Sequence, residues 1–347
     1  MSHRVLLTGA NGFVGSHILD QLLKAGHSVR SVVRSSSKAS QVLADFPNHG
    51  NKLETAIVPD ISAPGAFNEA VKSNPPFDTV IHTASPFLYR AIKDNSEFMK
   101  PAIHGTLEVL KAVKEFAPEV KRVIITGSCA AVVNFAGDPF ASPQKVYTEI
   151  DWNPTTWEGA VSGTINNAYQ ASKKFAEKAA WDFLENEHPN FDLVVLNPPM
   201  VYGPLRHTVP SIKDLNESTA RIYNLFINTT RDSPLPPNGL HVYTDVRDLA
   251  TAHILAMTTP QASNQRFVIS TGQIRSQEIS DMLRANIPSL ESRTPIGTPG
   301  GNPLPETAYT TSSAKAEKEL GLKFRSKEET FVELARQLLQ IEAAEMK

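Results

Sequence analysis

Arg4-Val5-Leu6-Leu7-Thr8-Gly9-Ala10-Asn11-Gly12-Phe13-Val14-Gly15 decides how the rest of the chain is read. Arg4 to Thr8 is a short β-rich run, and helical spacing follows the glycines through Leu23. Strand, glycine turn and helix in that order form the context that gives a glycine motif meaning, although the spacing is G-x-x-G-x-x-G rather than G-x-G-x-x-G. Each glycine has a physical task. Gly9 permits a tight turn, Gly12 lets backbone N–H groups approach a pyrophosphate, and Gly15 lets the helix pack closely on the strand. The phosphates would sit on the helix N-terminus, against Asn11 to Gly15.

Working outward, Ser28 to Val33 reads as a second strand and ends in Arg34-Ser35-Ser36-Ser37-Lys38. A site for NAD usually carries an acidic residue there for the ribose 2′-hydroxyl. Here the position is cationic, so Arg34 as a planar fork and Lys38 as a point charge would meet a 2′-phosphate. NADP(H) is therefore the expected cofactor. Leu53 to Val58 is a third strand closing at Asp60, which either meets the adenine edge or caps a turn. Asp78 to His82 is a fourth, ending in Thr83-Ala84-Ser85, with His82 read as a core or supporting histidine. A helix over Asn95 to Phe116 precedes a fifth strand, Arg122 to Thr126, which closes with Gly127-Ser128. A sixth, Phe191 to Leu196, closes with Asn197-Pro198-Pro199-Met200-Val201-Tyr202, whose carbonyls and later N–H groups are expected to be free for a ligand.

Strands alternating with helices predict an α/β fold, a Rossmann-type doubly wound parallel sheet. Ligands of such sheets lie at the carboxyl ends of the strands, where Gly9, Arg34, Asp60, Ser85 and Ser128 all fall. Beyond Tyr202 the alternation breaks down. Residues 1–200 read as the NADP-binding domain, with a later strand and helix returning around 240–260. Residues 201–347 read as mainly a smaller, mostly helical substrate-binding lobe. The loop Pro295 to Pro305, with three glycines and four prolines, is expected at the rim of the site.

Asn167 to Trp181 has helical spacing, with apolar residues at 168, 171, 175, 176, 179 and 183 on one stripe and Lys174, Glu177, Lys178 and Glu185 opposite. Tyr169 and Lys173 are four apart and share a face. Alone, such a pair is usually a packed ring beside a solvated charge; beside a cofactor site it is a proton donor with an ammonium neighbour. A free tyrosine titrates near ~10, and bringing it to 7 takes about 4 kcal/mol of phenolate stabilisation. A lysine at roughly 5 Å with an effective dielectric of ~20 supplies about 3 kcal/mol.

Composition sets the outer limits. The 347 residues are 41% apolar and 20% charged, ordinary for a globular protein with a sizeable core. A net charge of −2 gives no footprint for nucleic acid or an anionic membrane. The single cysteine, Cys129, excludes an internal disulfide and a thiolate metal cluster, and fits a reducing compartment. The first residues hold too short an apolar run for a signal peptide, and no segment approaches a membrane span, so a cytoplasmic protein with no metal is expected.

With these residues assembled, the sequence resembles the extended short-chain dehydrogenase/reductases, and more closely the fungal NADPH-dependent methylglyoxal, aldehyde and ketone reductases related to dihydroflavonol reductase and cinnamoyl-CoA reductase. The resemblance spans essentially the whole chain. It is carried by Thr8 to Gly15, Val58-Pro59-Asp60-Ile61, His82-Thr83-Ala84-Ser85-Pro86, the Tyr169–Lys173 helix, Asn197-Pro198 to Gly203-Pro204, and Asp245-Val246-Arg247-Asp248. It implies a catalytic triad of Ser128, Tyr169 and Lys173. It also implies adenine contacts from Asp60 and Ile61, contacts to the bound cofactor from Thr83, Ala84 and Ser85, and backbone contacts to the nicotinamide end from Pro198 to Val201. Two departures are Cys129, where the fungal reductases often carry tyrosine, and His104, where many members carry asparagine.

The implied reaction is hydride transfer from NADPH to an aldehyde or ketone, with Tyr169 protonating the oxygen and Ser128 donating to it. Phe87, Cys129, Val133, Met200 and Tyr202 are expected to line a mostly apolar pocket for a small carbonyl, with the protein a monomer or homodimer. Two rivals keep the fold: an NAD-bound sugar epimerase or dehydratase, and a non-catalytic NADP-binding regulator.

Overall fold

The computed structural model describes residues 2–85, 94–301 and 303–345. Short runs of β-branched and aliphatic residues form the strands β1 (Arg4–Thr8), β2 (Ser28–Val33), β3 (Leu53–Ile57), β4 (Thr79–His82) and β5 (Arg122–Thr126). Between and after them come helices α1 (Phe13–Lys24), α2 (Ser36–Asp45) and α3 (Ser96–Phe116). A short strand β6 (Val146–Tyr147) and helix α4 (Trp157–Ser162) interrupt an otherwise irregular segment. Then follow α5 (Ile165–Glu187), β7 (Asp192–Asn197), β8 (Met200–Tyr202), α6 (Glu217–Ile222), β9 (Val242–Asp245), α7 (Val246–Thr258) and β10 (Gln265–Val268). The chain closes with β11 (Gly272–Gln273), α8 (Ser276–Asn286), β12 (Thr310–Thr311), α9 (Ala314–Leu320) and α10 (Lys327–Glu345).

Seven strands make one sheet in the order β3-β2-β1-β4-β5-β7-β10, and every pairing in it is parallel. The strand order reverses direction between β1 and β4, which opens a crevice at their carboxyl ends. Apolar side chains from both faces of the central strands are buried, as a sheet covered on both sides requires, while the edge strand β3 leaves Ile57 exposed. Val5, Leu7, Ile81, Ile124 and Val194 pack under α1, α7 and α9, while Leu6, Val80, Val123 and Val195 pack under α3 and α5.

The expected alternation is present, with three differences. The strand that returns to the large sheet is β10. The 240–260 stretch supplies α7, but its strand β9 belongs to a second sheet, β11-β9-β8. The first strand of that sheet, β8, begins directly after Pro199, so the proline pair ends β7 without ending strand structure. In the lobe read as mostly helical, α6 does not run on as a regular helix but passes into a π-turn over Tyr223–Ile227. A third core of Tyr202, Phe226, Tyr243, Ile279, Phe331 and neighbours holds this C-terminal part together.

Candidate active site

A cleft of about 830 Å³ lies over the carboxyl ends of β1, β4 and β5. One end is walled by Gly9, Gly12, Phe13, Val14, Gly15 and Thr83. Gly9 has φ +73°, and a Cβ there would meet Thr83 Oγ1 at 2.7 Å. A Cβ on Gly15 would lie 2.1 Å from Gly9 O, so the turn folds directly onto the first turn of α1. The Gly12 N–H is spent on Gly9 O at 2.9 Å. Gly12 is the N-cap and offers no side chain, which leaves the first-turn amides of α1, at Phe13, Val14 and Gly15, with no intrahelical partner at the cleft. Asn11 sits in the same turn but outside the wall. These amides and the close approach that glycine permits are what a pyrophosphate needs.

Arg34 and Lys38 flank the end of β2, outside the wall of this cleft. Arg34 is exposed and, among the described residues, has no hydrogen-bond or ion-pair partner. Lys38 Nζ donates to Gln41 Oε1 at 3.0 Å, and Ser35 Oγ caps α2 by accepting from the Lys38 N–H. Asp60 makes a turn: its Oδ1 accepts from Ser62 N–H at 2.9 Å and Ser62 Oγ at 2.6 Å, bonds that hold its carboxyl below the usual range. Ile61 packs against Gly105, where a Cβ would meet it at 3.1 Å.

At the end of β4, Thr83 Oγ1 donates to Thr8 O at 2.7 Å and the Ala84 N–H donates to Thr8 Oγ1 at 3.1 Å. His82 is buried and bonds Thr8 Oγ1 at 2.9 Å. Burial first, and Lys173 second, pull it down to about 4, so it is a neutral support for β1 and β4. Ser85 accepts from Lys173 Nζ at 2.7 Å.

The other end of the cleft is walled by Ser128, Cys129, Tyr169, Pro199, Met200 and Val201 among others. Thr164 caps α5 in a box with Asn167, which starts the helix one turn ahead of Tyr169. Lys173 Nζ lies 5.6 Å from the Tyr169 ring centroid, and Phe98 meets that ring edge-on at 6.0 Å. Desolvation pulls the Lys173 ammonium down to about 8. Ser128 Oγ accepts from the Ala130 N–H at 3.1 Å. As that bond uses a lone pair, the hydroxyl proton remains able to donate.

Several expectations need correction. Val133 is fully buried among Val132, Val242 and Tyr309, because the chain coils inward directly after Ser128. Tyr202 is also buried, its ring tilted against Phe331 with centroids 5.2 Å apart. Neither lines the cleft. The Pro198 carbonyl is not free: it accepts from the Cys129 N–H at 2.8 Å. Described residues of the 295–305 loop are tied to α8 through Gln277 and Asp281 rather than walling the cleft. Glu177 is 3% exposed, not on a solvated face. His104 is exposed on α3. Phe87 lies outside the described residues. Cys129 is buried, and burial pushes its thiol far up, so it serves as an inert wall.

The wall also holds residues that sequence reasoning missed: Phe135, Asn166, Gln170, Leu215, Asn216 and Glu217, with Ser218, Leu240 and Val242 beyond them. Phe135, Leu215, Asn216 and Leu240 come from irregular segments and Val242 from the second sheet, which carry no periodic signal, whereas Asn166 and Gln170 lie on α5 and Glu217 and Ser218 on α6. Among the described wall residues there is no lysine or arginine, and Glu217 is the only carboxylate. No group of His, Cys, Asp and Glu able to hold a metal ion occurs among the described residues.

The chain is similar to known proteins over nearly its whole length. Residues 5–270 match the NAD dependent epimerase/dehydratase family. The chain is 40% identical over 328 residues to a ketoreductase of Aspergillus niger, with 94% of each chain covered. It is 36% identical to the NADPH-dependent methylglyoxal reductase of Saccharomyces cerevisiae, covering 97% of this chain and 98% of that one. The crystal structure of yeast methylglyoxal/isovaleraldehyde reductase complexed with NADPH aligns with TM-score 0.89 at 35% identity, over 98% of this chain and 99% of that chain.

Proposed function

The chain belongs to the NAD dependent epimerase/dehydratase family, and from that premise we propose that it is an NADPH-dependent carbonyl reductase converting an aldehyde or ketone to an alcohol. One observation carries the reading: Tyr169, with Lys173 Nζ 5.6 Å from its ring, walls the same cleft as the uncapped N-terminus of α1 and Ser128. When bound, the cofactor supplies hydride to the carbonyl carbon.

The chain's own residues do the rest. The first-turn amides of α1 would hold the pyrophosphate, and Arg34 with Lys38 would meet the 2′-phosphate. Tyr169 gives its phenol proton to the substrate oxygen as charge develops there. The Lys173 ammonium stabilises the phenolate left behind, and Ser128 donates its hydroxyl proton as a hydrogen bond to the same oxygen. An NAD-bound epimerase would want a carboxylate where Arg34 stands.

The substrate end sets the apolar side chains of Phe135, Met200, Leu215, Leu240 and Val242 beside a few polar ones, Asn166, Gln170, Asn216 and Glu217. That suits a small uncharged carbonyl, a 2-oxoaldehyde such as methylglyoxal or an aryl or β-keto ketone. No helix among the described residues is long and apolar enough to cross a membrane. The reading extends to a cytoplasmic enzyme acting as monomer or homodimer.

The test is Tyr169→Phe, with NADPH oxidation followed against methylglyoxal, isovaleraldehyde, aryl ketones and β-keto esters. General-acid loss lowers kcat by roughly 10²–10⁴-fold, with NADPH binding little changed. Near-normal turnover in the variant removes Tyr169 from the chemistry, and no turnover by the unaltered protein against the whole panel removes the reductase reading.

A further inference from the structure

Ser128 and Tyr169 can address one oxygen only if the end of β5 and helix α5 keep a fixed separation. A buried polar chain joins them. The Ser128 N–H donates to Asn197 Oδ1 at 2.7 Å, and Asn197 Nδ2 donates to Glu177 Oε1 over a long 3.5 Å. Asn197 ends β7, beside β5, and is fully buried. Glu177 lies one turn beyond Lys173 on α5 and is 3% exposed. Arg266 on β10 clamps it, Nε to Oε1 at 2.5 Å and Nη2 to Oε2 at 3.2 Å.

Each member orients the next. An ionised carboxylate only accepts, so Asn197 must turn its NH2 toward Glu177, and its Oδ1 then faces the Ser128 N–H. The reversed amide would set donor against donor and acceptor against acceptor. Arg266 is needed because a buried carboxylate without a partner is strongly unfavourable. The guanidinium is itself held by the Glu149 and Asp151 carbonyls at 2.7 and 3.1 Å and stacks 3.6 Å over the Trp152 ring. Gly127 makes room: a Cβ there would lie 2.1 Å from Asn197 Oδ1. The same strands supply the apolar side chains Val123, Ile125 and Val195 to the core on this side of the sheet, so packing alone gives no reason for buried polar groups.

We infer that Asn197, Glu177 and Arg266 form a positioning device that fixes the Ser128 backbone, and through it the Ser128 hydroxyl, against the helix that carries Tyr169. Because Ser128 Oγ is also tied to the Ala130 N–H, the hydroxyl follows its backbone. The inference rests on the roles of Ser128 and Tyr169 proposed above.

The experiment is a double-mutant cycle of Glu177→Gln with Ser128→Ala, reading kcat, NADPH affinity by fluorescence and melting temperature. The side-chain amide that Glu177→Gln introduces can donate to Asn197 Oδ1, and so releases the amide orientation. A misplaced catalytic group costs roughly 10–100-fold, so kcat should fall by that factor while NADPH affinity stays within about 3-fold. The double variant should be no slower than Ser128→Ala alone, since coupled residues are non-additive. Asn197→Ala and Arg266→Lys repeat the cycle if Glu177→Gln does not fold. Normal kcat in Glu177→Gln, losses that multiply with Ser128→Ala, or unfolding of all three variants each overturns the inference. Normal turnover in Ser128→Ala overturns the serine's role itself, a distinct result.

Discussion

Lys173 Nζ donates to Ser85 Oγ across 2.7 Å, tying the middle of α5 to the carboxyl end of β4. The ammonium therefore has a fixed place 5.6 Å from the Tyr169 ring centroid. At that range, with an effective dielectric of ~20, its interaction with a phenolate is worth about 3 kcal/mol. Desolvation lowers the ammonium to about 8, so this field is fully present below pH 8 and fades above it. Turnover in the reductive direction should show an alkaline limb near pH 8. Ser85→Ala removes an acceptor that favours the charged form, and the limb should move to lower pH. A pH profile of kcat at saturating NADPH checks both; an unmoved limb in the variant excludes Ser85 from setting it.

The same lysine should make stability depend on pH. Its folded value lies below that of a free lysine, so between the two the unfolded chain binds more protons. The desolvation cost is fully present below pH 8 and is relieved as pH rises toward the ordinary lysine range. Lys173→Met has no such titration. Its melting temperature relative to the unaltered protein should be most favourable below pH 8 and become less so toward pH 10, while reductase activity is lost.

Arg34 is exposed and, among the described residues, unpaired at the end of β2, so its guanidinium breaks no existing bond when it turns onto a phosphate. A charge-assisted bond is worth about 1.5–3 kcal/mol, so Arg34→Ala should raise the NADPH KM by roughly 10–100-fold. The NADH KM should change far less. Equal changes for both cofactors would remove Arg34 from the 2′-phosphate.

What is legible in the sequence follows from the range of each interaction. The strand–glycine–helix start and the strands ending at Thr8, Val33, His82 and Thr126 are local patterns, and the structure has them where the pattern does. β10 and β11 escape such reading because four and two residues in a turn-rich stretch give no periodicity, whereas β9 is read as a returning strand but not as part of a second sheet. Val133 and Tyr202 read as pocket residues because sequence gives nearness to Ser128 and Pro199 but not side-chain direction. Glu177 reads as solvated because α5 alone cannot show that Arg266 arrives 89 residues later on β10. The glycine turn is legible for the opposite reason: what it contacts lies within a few residues or on the adjoining strand.

Space at Gly15 is taken by the turn itself. A Cβ there would lie 2.1 Å from Gly9 O, backbone that cannot yield without opening the phosphate loop. Overpacking costs ~1–3 kcal/mol, so Gly15→Ala should lower the melting temperature and weaken NADPH binding together. Gly321 closes α9 with φ +70° and nothing within 4 Å, so Gly321→Ala should cost only the left-handed backbone, about 1–2 kcal/mol. NADPH affinity should be unchanged in that variant. Thermal melts with and without NADPH separate the two cases.

Charge at the substrate end should discriminate between carbonyl compounds of the same shape. Glu217, at the start of α6, is the only carboxylate among the described wall residues, and no lysine or arginine stands there. A 2-oxo acid would bring a carboxylate toward it, whereas the matching ester would not. Glu217 is exposed, so the repulsion is the modest one of surface charges, ~1 kcal/mol or less. Glu217→Gln should remove it and Glu217→Lys should reverse it. The ratio of kcat/KM for the acid to kcat/KM for the ester should rise a few-fold in the first variant and about 10-fold in the second, with the gain shrinking as salt screens it. Ester turnover is the control for an intact site. If the ratio stays constant across all three proteins at low salt, the carboxylate does not face the bound substrate and the selectivity of the cleft lies in its shape.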